Sequence, residues 1–113
     1  MTATAQSKYK NQARIIKALA HPTRLFIVDE LSHGERCVRE ITDLIGVEMP
    51  TVSRHLGVLK SAGILEAEKR GLQIFYRLRV PCVLNFFKCV EAVQSDSRKP
   101  TNQIDSSKTG CAG

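Results

Sequence analysis

Two short amphipathic segments joined through Gly46 constrain the fold of this chain more than any other feature of its sequence. The first segment, residues 37–45, places its apolar side chains along one helical face. The second begins at Met49-Pro50 and ends before Gly63. Its apolar residues fall at i, i+4 and i+7 (Val52, Leu56 and Leu59). This spacing predicts two short helices that share one core and leave the polar side chains of the second helix exposed.

The flanking segments complete the fold. Apolar residues repeat at helical spacing over Asn11–Ala20, and Pro22 begins a second helix. Two β-favouring runs, residues 64–69 and 73–78, predict a hairpin with a basic tip. A fifth helix after Pro81 has an apolar surface wider than one buried stripe requires, which is typical of a helix that packs against a partner. This order of elements predicts a winged helix-turn-helix, a mainly α fold with a small β-hairpin.

The 113 residues suffice for one small domain, which we assign to residues 10–94. Residues 1–9 are polar and are predicted to form a flexible arm, and residues 95–113, rich in Ser, Thr, Lys and Gly, a disordered tail. The sequence contains no apolar run of the roughly 20 residues that a membrane span needs, and its N-terminus lacks the pattern of a signal peptide. We therefore expect a cytoplasmic protein that does not contact membranes.

Charge is distributed unevenly along the chain. The formal net charge is +6, and residues 51–79 carry six cations against two acids. A basic block in one segment is typical of a surface that binds a polyanion such as nucleic acid. The major groove of DNA admits one α-helix, while a hairpin beside it meets the backbone or the minor groove. The predicted DNA-contacting residues are Thr51, Ser53, Arg54, His55 and Lys60 in the fourth helix, and Lys69 and Arg70 at the hairpin tip.

Four stretches resemble the ArsR/SmtB family of metalloregulators: ALAHPTRLFIVDEL (18–31), ERCVREI (35–41), TVSRHLGVLKSAGIL (51–65) and IFYRL (74–78). The resemblance covers roughly residues 10–94 and implies a repressor that is a homodimer through its first and last helices. It also implies that a metal, a metalloid or a sulfur-reactive signal releases the protein from double-stranded operator DNA.

The cysteines depart from the best-known inducer sites of that family. Where arsenic, cadmium and lead sensors often have ELCVCDL, this chain retains Cys37 but has Arg39 at the second thiolate position. The last helix lacks the Asp and His of zinc-type sensors, yet it offers Cys82 and Cys89, seven residues apart and on one helical face. Their Cα atoms would lie about 10 Å apart in a straight helix, too far for one ion unless the first turn unwinds or another thiol joins.

Soft sulfur ligands favour thiophilic ions, and three thiolates suit arsenite. The sequence therefore predicts As(III) or Sb(III) as the inducer, bound by Cys82, Cys89 and Cys37, with Cd(II), Pb(II) or thiol oxidation as alternatives. The site could lie within one subunit or between two, and no other cofactor is expected. Cys111, in the predicted tail, is interpreted as incidental.

Two other classes of protein remain. An enzyme would need a nucleophile with its base or a phosphate-binding glycine loop, and the sequence offers neither arrangement. A winged-helix module that binds other proteins has the same fold, because fold does not determine function. Its fourth helix would carry apolar or acidic residues where this chain has Ser53, Arg54 and His55.

Overall fold

The computed structural model describes residues 1–98, with side chains to residue 95. It contains five helices and three strands: α1 (Ala3–Leu19), α2 (Pro22–Leu31), β1 (Arg36–Cys37), α3 (Val38–Ile45), α4 (Met49–Ser61), β2 (Leu65–Arg70), β3 (Gln73–Leu78) and α5 (Val83–Arg98). The predicted winged helix-turn-helix is confirmed. Helices α3 and α4 pack together and form the helix-turn-helix, and the hairpin of β2 and β3 forms the wing. Gly46 ends α3 in the left-handed conformation, with φ 82°.

The sheet has three strands rather than the two that the sequence predicted. Strand β1 pairs antiparallel with β3, so that Arg36 lies opposite Tyr76 and Cys37 opposite Phe75. The strand order is therefore β1-β3-β2. A strand of two residues has no alternation that a sequence pattern could reveal, and Cys37 passes directly from it into the first turn of α3.

Both ends of the described chain are more helical than predicted. Helix α1 begins at Ala3, inside the predicted flexible arm, because the Thr2 hydroxyl accepts a hydrogen bond from the Ala5 amide at 3.1 Å and caps the first turn. Helix α5 continues to Arg98, four residues beyond the expected end at residue 94. These turns lack a regular apolar stripe, so the periodicity did not detect them. The rest of the predicted tail, with Cys111, lies outside the described residues.

One face of α4, its inner face, packs into the apolar core. Val52, Leu56 and Leu59 are completely buried, as the spacing predicted. They pack in the part of the molecule where α4 meets α2, α3 and β2. The other core residues are Ala18, Leu19, Ile27, Val28, Leu31, Cys37, Ile41, Ile64 and Leu65. Burying side chains of this size stabilises the fold by about 1.5–3 kcal/mol each, so the orientation of α4 is determined by apolar packing.

The chain forms two compact units, Met1–Pro81 and a second that begins at Cys82. The first contains the helix-turn-helix and the wing, and the second contains α5. Among the described helices, none is both long and apolar enough to span a bilayer.

Candidate nucleic-acid interface and thiol sites

The outward face of α4 carries the polar residues that the sequence assigned to DNA. Ser53 and Arg54 are exposed, and Arg54 lies on the side of the helix opposite the buried Val52. Thr51 is half-buried in the first turn, where its amide donates to the Glu48 carbonyl at 3.0 Å. Lys60 is exposed in the last turn. Helix α4 contains no acidic residue, so this face presents hydrogen-bond donors and positive charge.

His55 has a different position from its neighbours on α4. Its Nδ1 atom accepts a hydrogen bond from Arg24 Nε of α2 at 3.2 Å, and its ring lies 4.5 Å from that of His21, centroid to centroid. Partial burial, followed by the nearby His21, Arg24 and Arg54, lowers the pKa of His55 below its usual value. His55 therefore joins α4 to the start of α2, and its ring is half-buried between them.

The hairpin tip is less cationic than the sequence indicated. The Arg70 guanidinium binds both carboxylate oxygens of Glu35, one of them at 3.1 Å, and donates to Glu68 at 2.9 Å. It also lies over the Phe75 ring, 4.8 Å from the centroid. Lys69 is exposed and forms no ion pair within residues 1–98. Of the two predicted phosphate contacts on the wing, Arg70 is thus already held by carboxylates and Lys69 is not.

A second arginine extends this ion-pair network along the wing. Arg77 Nε donates to Glu66 at 2.7 Å, and Arg77 Nη1 donates to Glu68 at 3.0 Å. The adjacent Arg70 and then Arg77 lower the pKa of Glu68, while Glu35 and Glu68 raise that of Arg70. The network joins β2 and β3 to the segment before β1, and its three carboxylates outnumber its two guanidinium groups.

Cys37 lies in the core. Its side chain is 5% exposed, and its amide donates to the Glu40 carboxylate at 2.9 Å at the start of α3. This hydrogen bond, with a weaker one from the thiol, lowers the pKa of Glu40. The position is that of a buried helix cap, and a ligand would reach the sulfur only after local opening.

The two cysteines of the second unit are exposed. Cys82 precedes the first turn of α5, and its carbonyl accepts a hydrogen bond from the Asn85 amide at 3.1 Å. Cys89 follows about 10 Å further along the helix. Across the described part of the chain, no three His, Cys, Asp or Glu side chains are grouped so that they could hold a metal ion. A three-thiolate site of Cys82, Cys89 and Cys37 therefore stays a prediction.

Apolar side chains are exposed on the first and last helices. In α1, Tyr9 and Ile16 are each about half exposed, and in α5, Phe86 and Val90 are nearly so. These residues lie on the helices for which the sequence predicted a partner.

Sequence reasoning missed three participants in these sites. Arg24 holds His55, and Glu35 holds Arg70 from 35 residues away in the chain. Arg14 of α1 lines a depression together with Arg54. The basic character of residues 1–24, which contain no acid, was the only signal available for Arg14.

Comparison with known proteins agrees with this architecture. The family described as "Bacterial regulatory protein, arsR family" matches residues 21–67. The chain is 44% identical over 79 residues to the biofilm growth-associated repressor of Xylella fastidiosa, an alignment that covers 69% of each protein. It is also 44% identical over 64 residues to the HTH-type transcriptional repressor SmtB of Mycobacterium tuberculosis, covering 57% of this chain and 47% of that protein.

Solved structures show the same fold. A homodimeric winged helix-turn-helix DNA-binding domain from Mycobacterium bovis, described as a possible ArsR-family regulator, superposes with a TM-score of 0.76 at 31% identity, covering 93% of this chain and 97% of that one. The transcriptional repressor BigR from Xylella fastidiosa gives a TM-score of 0.63 at 38% identity, covering 80% and 96%.

Proposed function

The chain belongs to the ArsR family of bacterial transcriptional regulators, and from this membership we propose that it is a homodimeric, operator-binding repressor whose affinity for DNA is lowered by a thiophilic inducer. The observation that carries the DNA-binding part is the outward face of α4. Ser53 and Arg54 extend from a helix that contains no acid and whose opposite face is fixed in the core. A helix held in this way can enter the major groove with its donors directed at bases and phosphates.

The exposed apolar side chains of α1 and α5 support a homodimer. Tyr9, Ile16, Phe86 and Val90 would be shielded from water by a second copy of the chain. The Mycobacterium bovis neighbour is homodimeric, which favours the same assembly here. Two recognition helices related by a two-fold axis would contact half-sites about 34 Å apart, so we expect a palindromic operator. The protein would act in the cytoplasm, together with the DNA it binds.

The inducer contacts are assigned to the exposed thiols Cys82 and Cys89. Arsenite and antimonite are the favoured inducers because soft thiolates select thiophilic ions, with Cd(II) and Pb(II) next. A third sulfur would come from the second subunit or from Cys37, which is buried and would need local opening. Thiol oxidation at the same two residues remains the alternative signal.

Release from DNA would follow from thermodynamic coupling. An inducer that binds the dimer more tightly in a geometry unsuited to DNA lowers DNA affinity by the ratio of its affinities for the two geometries. The chain's own residues would then have separate roles, with α4 contacting the operator and the α5 thiols contacting the inducer.

The first experiment is fluorescence anisotropy of a palindromic duplex from the protein's own promoter, titrated with reduced protein. A scrambled duplex of equal length is the control, and both titrations are repeated at several salt concentrations. We expect the promoter duplex to bind at least about a thousandfold more tightly, with both affinities falling as salt rises. Equal binding to the two duplexes would contradict the repressor proposal and favour a protein-interaction module.

The second experiment adds arsenite, antimonite, Cd(II), Pb(II), Zn(II) or an oxidant to the preformed complex. Release by arsenite or antimonite at micromolar concentration supports the favoured inducers. If only the oxidant releases the protein from DNA, the signal is thiol oxidation and not metalloid binding. A complex that resists all six additions would contradict thiol-controlled release and leave the DNA-binding assignment intact.

A further inference from the structure

An open depression lined in part by arginines lies between α1 and α4. Its volume is about 450 Å³, and its lining residues are Arg14, Ala18, Arg54, Gly57, Val58, Ser61 and Ala62. Two of these are arginines and none is acidic. The other five lining residues are small or apolar, and a Cβ atom added at Gly57 would meet nothing within 4 Å. The depression can therefore be approached from solvent by a group carrying negative charge.

Helix α1 adds further positive charge on this side. It contains four cations (Lys8, Lys10, Arg14 and Lys17) and no acid. At about 100° per residue, Lys10, Arg14 and Lys17 share an arc of roughly 100° with Ala18, which lines the depression. Lys8 lies about 120° from Arg14 around the helix. The cations of α1 are thus concentrated toward α4 and not spread evenly.

The two arginines of the depression are not neutralised. Arg14 and Arg54 are exposed, and neither forms a salt bridge within the described residues. Arg70 and Arg77 on the wing, by contrast, are each bound by two or more carboxylates. Guanidinium groups without internal partners can bind an external oxyanion, and their planar, forked donors match the geometry of phosphate.

We propose that α1 is a second DNA-contacting element, in which Arg14, together with Arg54 of α4, binds a backbone phosphate of the duplex beside the groove that α4 enters. The hydroxyl of Ser61, which also lines the depression, is a further donor for the same phosphate. The proposal rests on the proposed DNA binding and extends it to a helix whose apolar residues serve the dimer. A phosphate contact of this kind strengthens binding to every sequence and adds no base preference.

The test compares Arg14→Gln with Lys8→Gln, which removes the same charge from another side of α1. Each variant is titrated against the promoter duplex and the scrambled duplex at several salt concentrations. We expect Arg14→Gln to lose roughly threefold to tenfold in affinity for both duplexes, and the salt slope of the dimer to fall by about 2 for its two phosphate contacts. Lys8→Gln should change both quantities much less. Equal losses in the two variants would overturn the proposal, because α1 would then contribute only overall charge.

A double-mutant cycle tests whether the two arginines share one phosphate. Arg14→Gln, Arg54→Gln and the double variant are compared on the scrambled duplex, and we expect the double variant to lose less than the product of the two single losses. Independent, multiplicative losses would overturn the shared contact. Because this arm uses non-specific DNA, it gives a result even if the protein proves not to discriminate its promoter.

A titration with inorganic phosphate tests whether the natural ligand of the depression is DNA or a free anion. Amide chemical shifts of the DNA-free protein are followed with phosphate at constant ionic strength. The proposal is supported if phosphate binds weakly to the wild type and if Arg14→Gln loses both this phosphate binding and DNA affinity. Phosphate binding that depends on Arg14 while DNA affinity does not would overturn it, and would assign the depression to a free anion.

Discussion

Arg24 of α2 donates from Nε to the Nδ1 atom of His55 in α4 across 3.2 Å, and its Nη1 donates to the Ala18 carbonyl at the end of α1. One guanidinium group thereby connects three helices. For Nδ1 to accept, it must carry no proton, so the contact requires neutral His55. The neighbouring His21 caps α2, because its Nδ1 atom accepts a hydrogen bond from the Thr23 amide at 3.1 Å. The attachment of α4 to α2 is therefore sensitive to protonation.

Folding stability should fall on mild acidification because of His55. Partial burial and the nearby positive groups lower the pKa of His55 in the folded protein, so the unfolded chain takes up a proton first as the pH is lowered. The His55 contribution is present above the unfolded pKa and is lost as the pH falls toward the folded pKa. In urea unfolding between about pH 7 and pH 5, we expect His55→Gln to show a smaller fall in midpoint than the wild type.

The exposed His33 provides the matched control for this experiment. His33→Gln should keep the wild-type pH dependence. If the stability of His55→Gln depends on pH as strongly as that of the wild type, other groups determine the pH dependence of stability in this pH range.

Glu35→Gln should strengthen DNA binding. The substitution removes one carboxylate from Arg70, which keeps only Glu68, and so makes the guanidinium group available to phosphate. We expect an affinity gain of about twofold to fivefold on both duplexes and a steeper salt slope. Asp29→Asn, which removes an exposed acid on α2, is the control for net charge. If the two variants gain equally, the wing arginine does not approach DNA.

Leu56→Ala should destabilise the protein by about 2–5 kcal/mol, because the buried side chain leaves a cavity between α4 and its neighbours. Denaturant unfolding measures the loss. Leu72→Ala at the tip of the wing, where the side chain is fully exposed, should change stability by less than about 0.5 kcal/mol. A small loss at Leu56 would mean that packing on the inner face does not hold the recognition helix.

Cys82→Ser and Cys89→Ser should leave operator affinity unchanged and prevent release by the inducer, because both thiols are exposed and lie outside α4. Anisotropy with and without arsenite measures both quantities. Cys37→Ser should instead lower stability by about 1–3 kcal/mol, because it places a hydroxyl in the core. Loss of operator binding in either α5 variant would contradict the separation of roles.

Local signals predicted much of the fold. Pro22 and Met49-Pro50 marked the starts of α2 and α4, and the alternating runs marked the hairpin. The buried face of α4 was predicted residue by residue from its spacing. Strand β1 was missed because two residues form no pattern.

The candidate site was less predictable, since its character depends on residues distant in the chain. His55 and Arg70 are residue types that often contact DNA, but both form hydrogen bonds within the chain. His55 is bound by Arg24, 31 residues away, and Arg70 by Glu35, 35 residues away. A single sequence carries no record of such pairings. The exposed positions of Ser53 and Arg54, in contrast, follow from helical periodicity alone.

The separation of the two faces of α4 has an evolutionary consequence. Val52, Leu56 and Leu59 account for the burial of the helix, while Ser53 and Arg54 contribute nothing to the core. Mutations at the outer positions can therefore accumulate without loss of folding, because surface substitutions change stability by only about 0.5 kcal/mol. A lineage carrying this fold could acquire new operators by changing a few outer residues. At His55, which accepts a hydrogen bond from Arg24, a substitution would also change stability.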